Sequence, residues 1–268
     1  MQIYLYSLRL IEILLYLCNM EWEIVHIDET DSTNRWLRKH VEERTEEVCE
    51  PCVAVTEYQT AGRGCGTNTW ESERGKNLTF SIAFCPQGVK ASRQFLISQQ
   101  ISVALADTLS QYAEGFSIKW PNDIYWHDKK ICGILIENVL KGDSIRYCIA
   151  GIGLNVNQRE FLSDAPNPVS LCQVVGHEMD REALLADFLH HLEEAFQRDS
   201  IRQEYGSLLF RQGMTAAYAD KEGPFQAVLE GVEDDGHLVL RDDSGRQRRY
   251  AFKEVAFVGQ LDNYRDRQ

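Results

Sequence analysis

The sequence lacks the signatures of several large classes of protein. Its 268 residues contain no repeat of fixed period, and 44% hydrophobic with 26% charged residues is not the composition of a disordered chain. Neither a Rossmann dinucleotide fingerprint nor a P-loop is present. These absences leave a globular protein, long enough for one substantial core and a smaller accessory domain.

Positive charge and paired cysteines are also scarce. The chain has 28 lysines and arginines against 41 aspartates and glutamates, a net charge of -13. Because such a chain repels phosphate backbones, we expect no DNA partner. Of the eight cysteines, only Cys49 and Cys52 form a CxxC pair, and no second pair or histidine pair follows at zinc spacing. The pattern favours reduced thiols in a cytoplasmic protein over a metal site or a disulfide framework.

Residues 1–20 differ from the rest of the chain. They are rich in Leu, Ile and Tyr but are interrupted by Arg9 and Glu12, and the segment is short for a membrane span. It also has no basic n-region and no small-residue cleavage site. We therefore expect a non-native or disordered extension, a natural start at Met20 and no membrane partner.

Hydrophobic periodicity predicts an α+β domain over residues 21–213. Strand-type runs separated by turns indicate a mixed, largely antiparallel sheet, and amphipathic stretches indicate helices packed on it. The predicted helices are one capped by Asp31 or Ser32, one over residues 92–112 and one from about residue 180 to 205. Beyond residue 213 the period changes to alternation, and four short strands predict a small β-barrel domain over residues 214–268.

Two glycine-containing motifs are candidates for ligand binding. Gly62-Arg63-Gly64-Cys65-Gly66 would let the backbone approach an anion closely, and its amides and arginine could hold a carboxylate or a phosphate. An ordinary flexible loop is the alternative. Gly151 and Gly153 stand inside an apolar strand, which glycine weakens unless a ligand or another backbone comes close.

Lysines mark two further motifs. The segment Lys119-Trp120-Pro121-Asn122-Asp123 ends a strand in a turn and sets an amide, a carboxylate and a lysine together, as a metal–nucleotide site requires. Lys130 begins an almost wholly apolar strand, so its ammonium group could project over the floor of a pocket. A plain turn and a solvated hairpin tip remain the alternatives for these motifs.

Taken together and in this order, the motifs resemble those of biotin protein ligases, in the short form without an N-terminal DNA-binding domain. The resemblance covers roughly residues 22–260. It rests on Asp31-Ser32-Thr33-Asn34, Gln59 to Gly64 with Trp70, Gly75-Lys76-Asn77-Leu78, KWPND, KKICGIL and GIGLNVN.

The resemblance implies a fold and a reaction. The fold would be the class II synthetase-like catalytic fold of biotin and lipoate ligases, followed by an SH3-like β-barrel. The reaction would be the ATP-dependent biotinylation of a specific lysine on a biotin carboxyl carrier protein, through biotinyl-5′-AMP, with Mg²⁺ as cofactor. A homodimer is also compatible with the family.

The resemblance also implies roles for individual residues. Lys130, Arg63 and Asp123 would be catalytic, with Asp123 a candidate contact to Mg²⁺ carried by the phosphates. Biotin would be bound by Ser32, Thr33, Asn34, Gln59, Gly62, Arg63, Lys130, Gly133 and Gly153. ATP would be bound by Arg63, Gly64, Trp70, Lys119, Asn122, Asp123, Lys130 and Asn155.

The loop departs from the family pattern after its first arginine. The family continues GRG with Arg or Gln and then Arg and Gly, whereas this chain has Cys65-Gly66-Thr67 and no second arginine before Trp70. The departure predicts either a leakier adenylate or weaker binding, and leaves open whether another cation compensates.

Three alternatives remain open from the sequence. They are a lipoate ligase or octanoyltransferase, a non-catalytic sensor of biotin or adenylate, and an interaction module based on the C-terminal strands. Because the motifs begin at Asp31, we expect no three-helix DNA-binding domain of about 50 residues before them and no repressor activity. The sequence does not identify the carboxylase that would be the acceptor.

Overall fold

The computed structural model describes residues 20–44, 50–162 and 167–258. The predicted N-terminal extension therefore lies outside the described residues, except for Met20, which is buried in the core. Cys49 also lies outside them, while Cys52 is buried as a free thiol, and burial raises its pKa to about 11.

A seven-stranded sheet forms the larger part of the fold, in the order β1-β2-β3-β7-β6-β5-β4. Only β1 and β2 run parallel, so the predicted mixed and largely antiparallel sheet is confirmed. The strands are β1 Glu23–Thr30, β2 Cys52–Gln59, β3 Leu78–Phe84, β4 Phe116–Lys119, β5 Asp123–Trp126, β6 Lys129–Lys141 and β7 Ser144–Leu154.

Alternation along the strands divides the sheet into two faces. On β3, Phe80 and Ile82 belong to the main hydrophobic core, whereas the intervening Ser81 lies on the opposite face. The core face packs with the helices α2 (Phe95–Ser110) and α4 (Arg181–Gln197). The opposite face, which we call the site face, is partly covered by α1 (Thr33–Glu43).

The helix predicted from about residue 180 to 205 is wrong as a single helix. The chain forms α4 and then a short α5 (Ile201–Ser207), with the break at Arg198, whose backbone is extended. The Arg198 guanidinium lies 2.5 Å from Asp107 and 3.0 Å from Glu204, which ties the corner to α2. The helix predicted over 92–112 is shorter, because residues 91–93 form a 3₁₀ turn before Phe95. Between these helices, the chain also forms the one-and-a-half-turn helix α3 (Leu171–Val175).

The C-terminal strands form one open sheet, and the predicted closed barrel is not confirmed. Five antiparallel strands follow the order β11-β10-β9-β8-β12, and among the described residues the two outer strands do not pair with each other. The strands are β8 Thr215–Asp220, β9 Gly223–Val232, β10 Leu238–Asp242, β11 Gln247–Tyr250 and β12 Ala256–Val258. The sequence prediction missed β8, and β12 has only three residues with which to close a barrel.

The C-terminal sheet docks on the larger sheet beside the Lys119–Asp123 segment. Trp120 Nε1 donates to Gly236 O at 2.9 Å, and Arg202 pairs with Asp234 at 2.6 Å. The main core also continues into this sheet, for example at Leu229. A domain boundary between residues 213 and 214 stays a prediction. No helix among the described residues is long and apolar enough to cross a membrane.

Candidate functional site

The site face carries two neighbouring rows of residues across β3, β7 and β6, all of them small or polar except Leu135. One row consists of Ser81, Gly151 and Leu135, and the next of Thr79, Gly153 and Gly133. Two residues along a strand separate the rows by about 7 Å. The missing side chains of the glycines leave a shallow floor, so the face can admit a ligand or another side chain.

A buried polar cluster lies over the first row, where the start of α1 meets the sheet. Gln59 Oε1 accepts hydrogen bonds from the Thr33 amide at 2.8 Å and the Thr33 hydroxyl at 3.1 Å. Ser81 Oγ lies 2.7 Å from Thr33 Oγ1 and 2.6 Å from Asn34 Oδ1. A Cβ on Gly151 would lie 2.3 Å from that same Asn34 oxygen, so this glycine is required by space. The cluster offers amide and hydroxyl groups to a polar ring.

Ser32 occupies the N-cap position of α1, yet its side chain does not cap the helix. The Ser32 amide instead donates to Asp31 Oδ1 at 2.7 Å. Neither predicted cap therefore accepts a hydrogen bond from a backbone amide of the first turn, although Asp31 Oδ2 accepts from the Arg35 guanidinium at 2.7 Å. The Ser32 side chain is buried beside the polar cluster without that structural task.

Arg63 reaches the other end of the cluster through Glu137. Its guanidinium lies 3.6 Å from the Glu137 carboxylate, which also contacts Arg38 at 3.6 Å and accepts from Asn34 Nδ2 at 3.0 Å. The Arg63 side chain is more than one-third exposed, so this loose pair is weak and exchangeable. The guanidinium is thus free to contact another carboxylate or a phosphate.

The Trp70 indole fills the space over the second row. A Cβ on Gly153 would lie 2.3 Å from Trp70 Cε2, and one on Gly133 would lie 2.9 Å from Cζ3. The two glycines therefore make room for the Trp70 indole, and their predicted contact with biotin stays a prediction. Its Nε1 is buried and has no hydrogen-bond partner among the described residues.

The glycine loop that carries Arg63 is a small hairpin closed by Trp70. Gly64 N donates to Asn68 O at 2.8 Å, and Trp70 N donates to Gly62 O at 3.0 Å. A Cβ on Gly62 would lie 2.5 Å from Trp70 O, so glycine is needed for the two arms to approach. The hairpin explains how one loop places both a cation and an aromatic ring on the site face.

Lys130 and Asp123 form an ion pair beyond the indole. Lys130 Nζ donates to Asp123 Oδ2 at 2.6 Å and lies 5.8 Å from the centroid of the Trp70 ring. A bulge at the start of β6 inserts Ile131 between Lys130, which pairs with Tyr125, and Cys132, which pairs with Ile124. Bulges re-aim side chains, which here lets Lys130 reach over Gly133.

Lys119 lies beside this pair in a more enclosed position. Its Nζ donates to Tyr125 Oη at 3.0 Å, and burial lowers its pKa, partly opposed by Asp123. The following turn is fixed by Tyr205, whose hydroxyl donates to Pro121 O at 2.7 Å. Asn122 is partly exposed on that turn, between the fixed proline and Asp123.

Asn155 approaches the site from the end of β7. Its amide nitrogen on the main chain donates to Ile131 O at 2.9 Å, and its side-chain Nδ2 donates to Val169 O at 3.1 Å. The side-chain Oδ1 is buried without a partner among the described residues. An unpaired buried acceptor is costly, so this oxygen is a candidate to accept from a bound hydroxyl or amino group.

The residues around Asp123 suit a cation that arrives with its own oxygen ligands. Asp123 offers a carboxylate and the adjacent Asn122 an amide oxygen, which are the donors that Mg²⁺ accepts alongside phosphates. Elsewhere in the described residues, Glu233, Asp235 and His237 on the β9–β10 turn bring ligand-type atoms within 4.8 Å of one another. The two carboxylates are already bonded to Arg249.

The structure brings predicted residues together on the site face. Gln59, Thr33 and Asn34 lie over the first row, Trp70 lies over the second, and Lys130 lies beyond the indole. The sequence analysis missed Ser81, Glu137 and the steric role of Gly151. Ser81 could have been found from its place in an otherwise apolar strand. Glu137 gave no such signal, because only the tertiary fold brings its carboxylate to the Arg63 guanidinium.

Comparison with known proteins shows to which family the chain belongs. The model of the biotin/lipoate A/B protein ligase family matches residues 27–155. The biotin–[acetyl-CoA-carboxylase] ligase of Paracoccus denitrificans is 32% identical over 207 residues, covering 70% of this chain and 83% of that protein. The chain belongs to the biotin protein ligase family.

Longer relatives match over a smaller share of their length. The bifunctional ligase/repressor BirA of Bacillus subtilis is 30% identical over 216 residues, and the match spans 75% of this chain but 65% of that protein. The chain thus spans slightly less than two-thirds of the length of this relative. The BirA of Salmonella typhimurium is 30% identical and is covered to 68%.

Solved structures of biotin protein ligases share the fold. The ligase from Aquifex aeolicus in complex with biotin and ATP superposes with a TM-score of 0.70 at 24% identity, covering 87% of this chain and 97% of that one. The mixed, antiparallel-dominated sheet with helices on it is therefore the catalytic fold of this ligase family.

Proposed function

We propose that this protein activates biotin with ATP and transfers it to a lysine of a biotin carboxyl carrier protein. Biotin carboxylate oxygen attacks the α-phosphorus of ATP, diphosphate leaves, and biotinyl-5′-AMP results. The ε-amino group of the carrier lysine then attacks the acyl carbon, AMP leaves, and an amide bond remains. Both partners in the first step are anions, so the site must supply positive charge and positioning.

The arrangement of Lys130 carries the proposal. Its ammonium group lies between the Asp123 carboxylate and the Trp70 ring, at the end of a glycine floor that begins at the polar cluster. A ligand with a polar ring at Thr33 and Asn34 would direct its carboxylate toward Lys130. The Trp70 indole would have to move off Gly133 and Gly153 to admit it. The role expected for Lys130 is electrostatic, since it can bridge carboxylate and phosphate oxygens without forming a covalent bond.

Other residues support the two ends of such a ligand. Thr33, Asn34 and Gln59, with Ser81, present hydroxyl and amide groups that suit the ureido ring of biotin. Arg63 can exchange Glu137 for the reacting anions. Asp123 and Asn122 would contact MgATP, and the unpaired Asn155 oxygen would accept from the nucleotide.

The direct test is a carrier assay with matched lysine variants. Purified protein, MgATP, biotin and a carboxyl carrier domain should give one biotin-sized mass gain on the carrier. Lys130→Met should abolish the gain, whereas Lys129→Met, which changes the exposed neighbour on the same hairpin, should retain it. Transfer of lipoate instead of biotin would support the lipoate ligase alternative, and biotin binding without any transfer would support the sensor.

The name of the BirA relatives includes a repressor function, and its absence from this protein is part of the proposal. The net charge of -13 supports it, because sequence-independent DNA binding depends on cationic contacts to phosphates. Titration of a labelled duplex at low salt tests this point. Saturable binding that biotin and ATP enhance would contradict it.

A further inference from the structure

The turn between β11 and β12 places a lysine on the glycine loop. A Cβ built on Gly66 would lie 2.3 Å from Lys253 Nζ and 3.6 Å from its Cε, so the ammonium group rests where a side chain of residue 66 would begin. The loop belongs to the larger sheet and Lys253 to the C-terminal sheet. The contact therefore depends on how the two sheets dock.

The backbone at both residues is in the left-handed region, with φ of 73° at Gly66 and 72° at Lys253. Glycine adopts this region freely, whereas lysine is uncommon there. The turn would form with less strain if residue 253 were glycine.

Neighbouring contacts hold the turn beside the nucleotide-binding motif. The Phe252 ring packs edge-on against Trp120 with ring centroids 5.9 Å apart, and Trp120 precedes Pro121-Asn122-Asp123. The Glu254 carboxylate accepts from Ala251 N at 2.8 Å, which anchors the turn internally. Within the described part of the chain, Lys253 has no carboxylate partner, so its charge is directed at the loop.

The loop itself is poor in positive charge. Between Gly62 and Trp70 its single cationic residue is Arg63, which contacts Glu137. We infer that Lys253 supplies from the C-terminal sheet the second cation that the loop lacks, and holds the phosphate of the acyl-adenylate until the acceptor arrives. This inference rests on the proposed function, and it identifies a residue that keeps the intermediate bound at the same site.

Gly66 and Lys253 then form a matched pair. A Cβ at position 66 would displace the flexible end of the lysine, so glycine lets the ammonium group rest directly on the loop. The same contact makes retention of the acyl-adenylate depend on docking of the C-terminal sheet, because separation of the two sheets would remove the cation from the loop.

The test measures release of the intermediate by the full chain. Adenylate is formed from biotin and α-³²P-labelled ATP, the complex is isolated by gel filtration, and loss of label is followed over time. Lys253→Met, which keeps length and removes charge, should accelerate release roughly fivefold, near the upper limit for an exposed ion pair. Lys253→Arg should release at the rate of the unmodified protein. Lys221→Met, at an exposed lysine of the β8–β9 turn, is the matched control.

Salt separates a charge effect from a structural one. Release by the unmodified protein should accelerate as ionic strength rises, and release by Lys253→Met should respond less. Equal release by Lys253→Met and the unmodified protein, with adenylate formed by both, would overturn the inference alone. Faster release by Lys253→Arg as well would also overturn it, since charge would not be the cause. Failure of the unmodified protein to form adenylate would instead overturn the proposed function.

Discussion

Gly153→Ala is the sharpest test of how the site face is built. The φ of Gly153 lies outside the left-handed region, so its backbone accepts alanine, and a strand residue gains about 0.5–1 kcal/mol from the loss of glycine's conformational freedom. Steric contact with the Trp70 ring opposes the substitution. The new Cβ would lie 2.3, 2.4 and 2.7 Å from three atoms of the Trp70 indole, so the ring must move by about 1 Å.

Such overpacking costs about 1–3 kcal/mol, so we expect a net destabilisation of about 0.5–2 kcal/mol. The free energy of unfolding is measured by urea titration. Gly133→Ala is the graded control, because its Cβ would lie 2.9 Å from the same ring and a shift of about 0.5 Å relieves the contact. The expected order of destabilisation is therefore Gly153→Ala above Gly133→Ala.

A double-mutant cycle with Trp70→Ala assigns the cause. With the indole removed, Gly153→Ala should be neutral or stabilising, because only the gain in strand propensity remains. The emission of Trp70 should also shift to longer wavelength in Gly153→Ala as the ring becomes more exposed. Equal destabilisation by Gly153→Ala with and without Trp70 would refute the proposed contact between ring and glycine.

Three further changes have defined outcomes. Gly151→Ala should weaken biotin binding, because its Cβ would lie 2.3 Å from Asn34 Oδ1, and calorimetric titration measures this. Ser81→Ala should cost about 1–3 kcal/mol in unfolding free energy, since it leaves buried polar partners unpaired; a cost near zero would mean that water replaces the hydroxyl. Asp242→Asn should make the free energy of unfolding fall less steeply as the pH is lowered. Hydrogen bonds from Ser244 and the ion pair with Arg248 lower the Asp242 pKa, so the folded carboxylate stabilises the chain above its ordinary pKa of 3.8 and that contribution disappears as pH falls further; urea titrations from about pH 6 to pH 3 would show it, and unchanged slopes would contradict it.

Local patterns in the sequence were sufficient for the sheet and for most of the motifs. Strict alternation, as at Phe80-Ser81-Ile82, determines that one face is apolar and the other is not, and turn residues determine where the strands reverse. The single helix expected near residue 180 failed at Arg198. Its ion pairs to Asp107 and Glu204 form only after α2 and α4 have packed, and periodicity contains no information about them.

What the sequence alone determined is the family, because ordered motifs such as KWPND and GIGLNVN are carried by the chain itself. Tertiary structure decided how those motifs meet. Strand register sets Gly133 opposite Gly153 and so makes room for the Trp70 indole, and the bulge in β6 directs Lys130 across it. Docking of the second sheet brings Lys253 to Gly66, although 186 residues lie between them in the sequence. A contact of that kind depends on packing between sheets, which no local pattern of residues records.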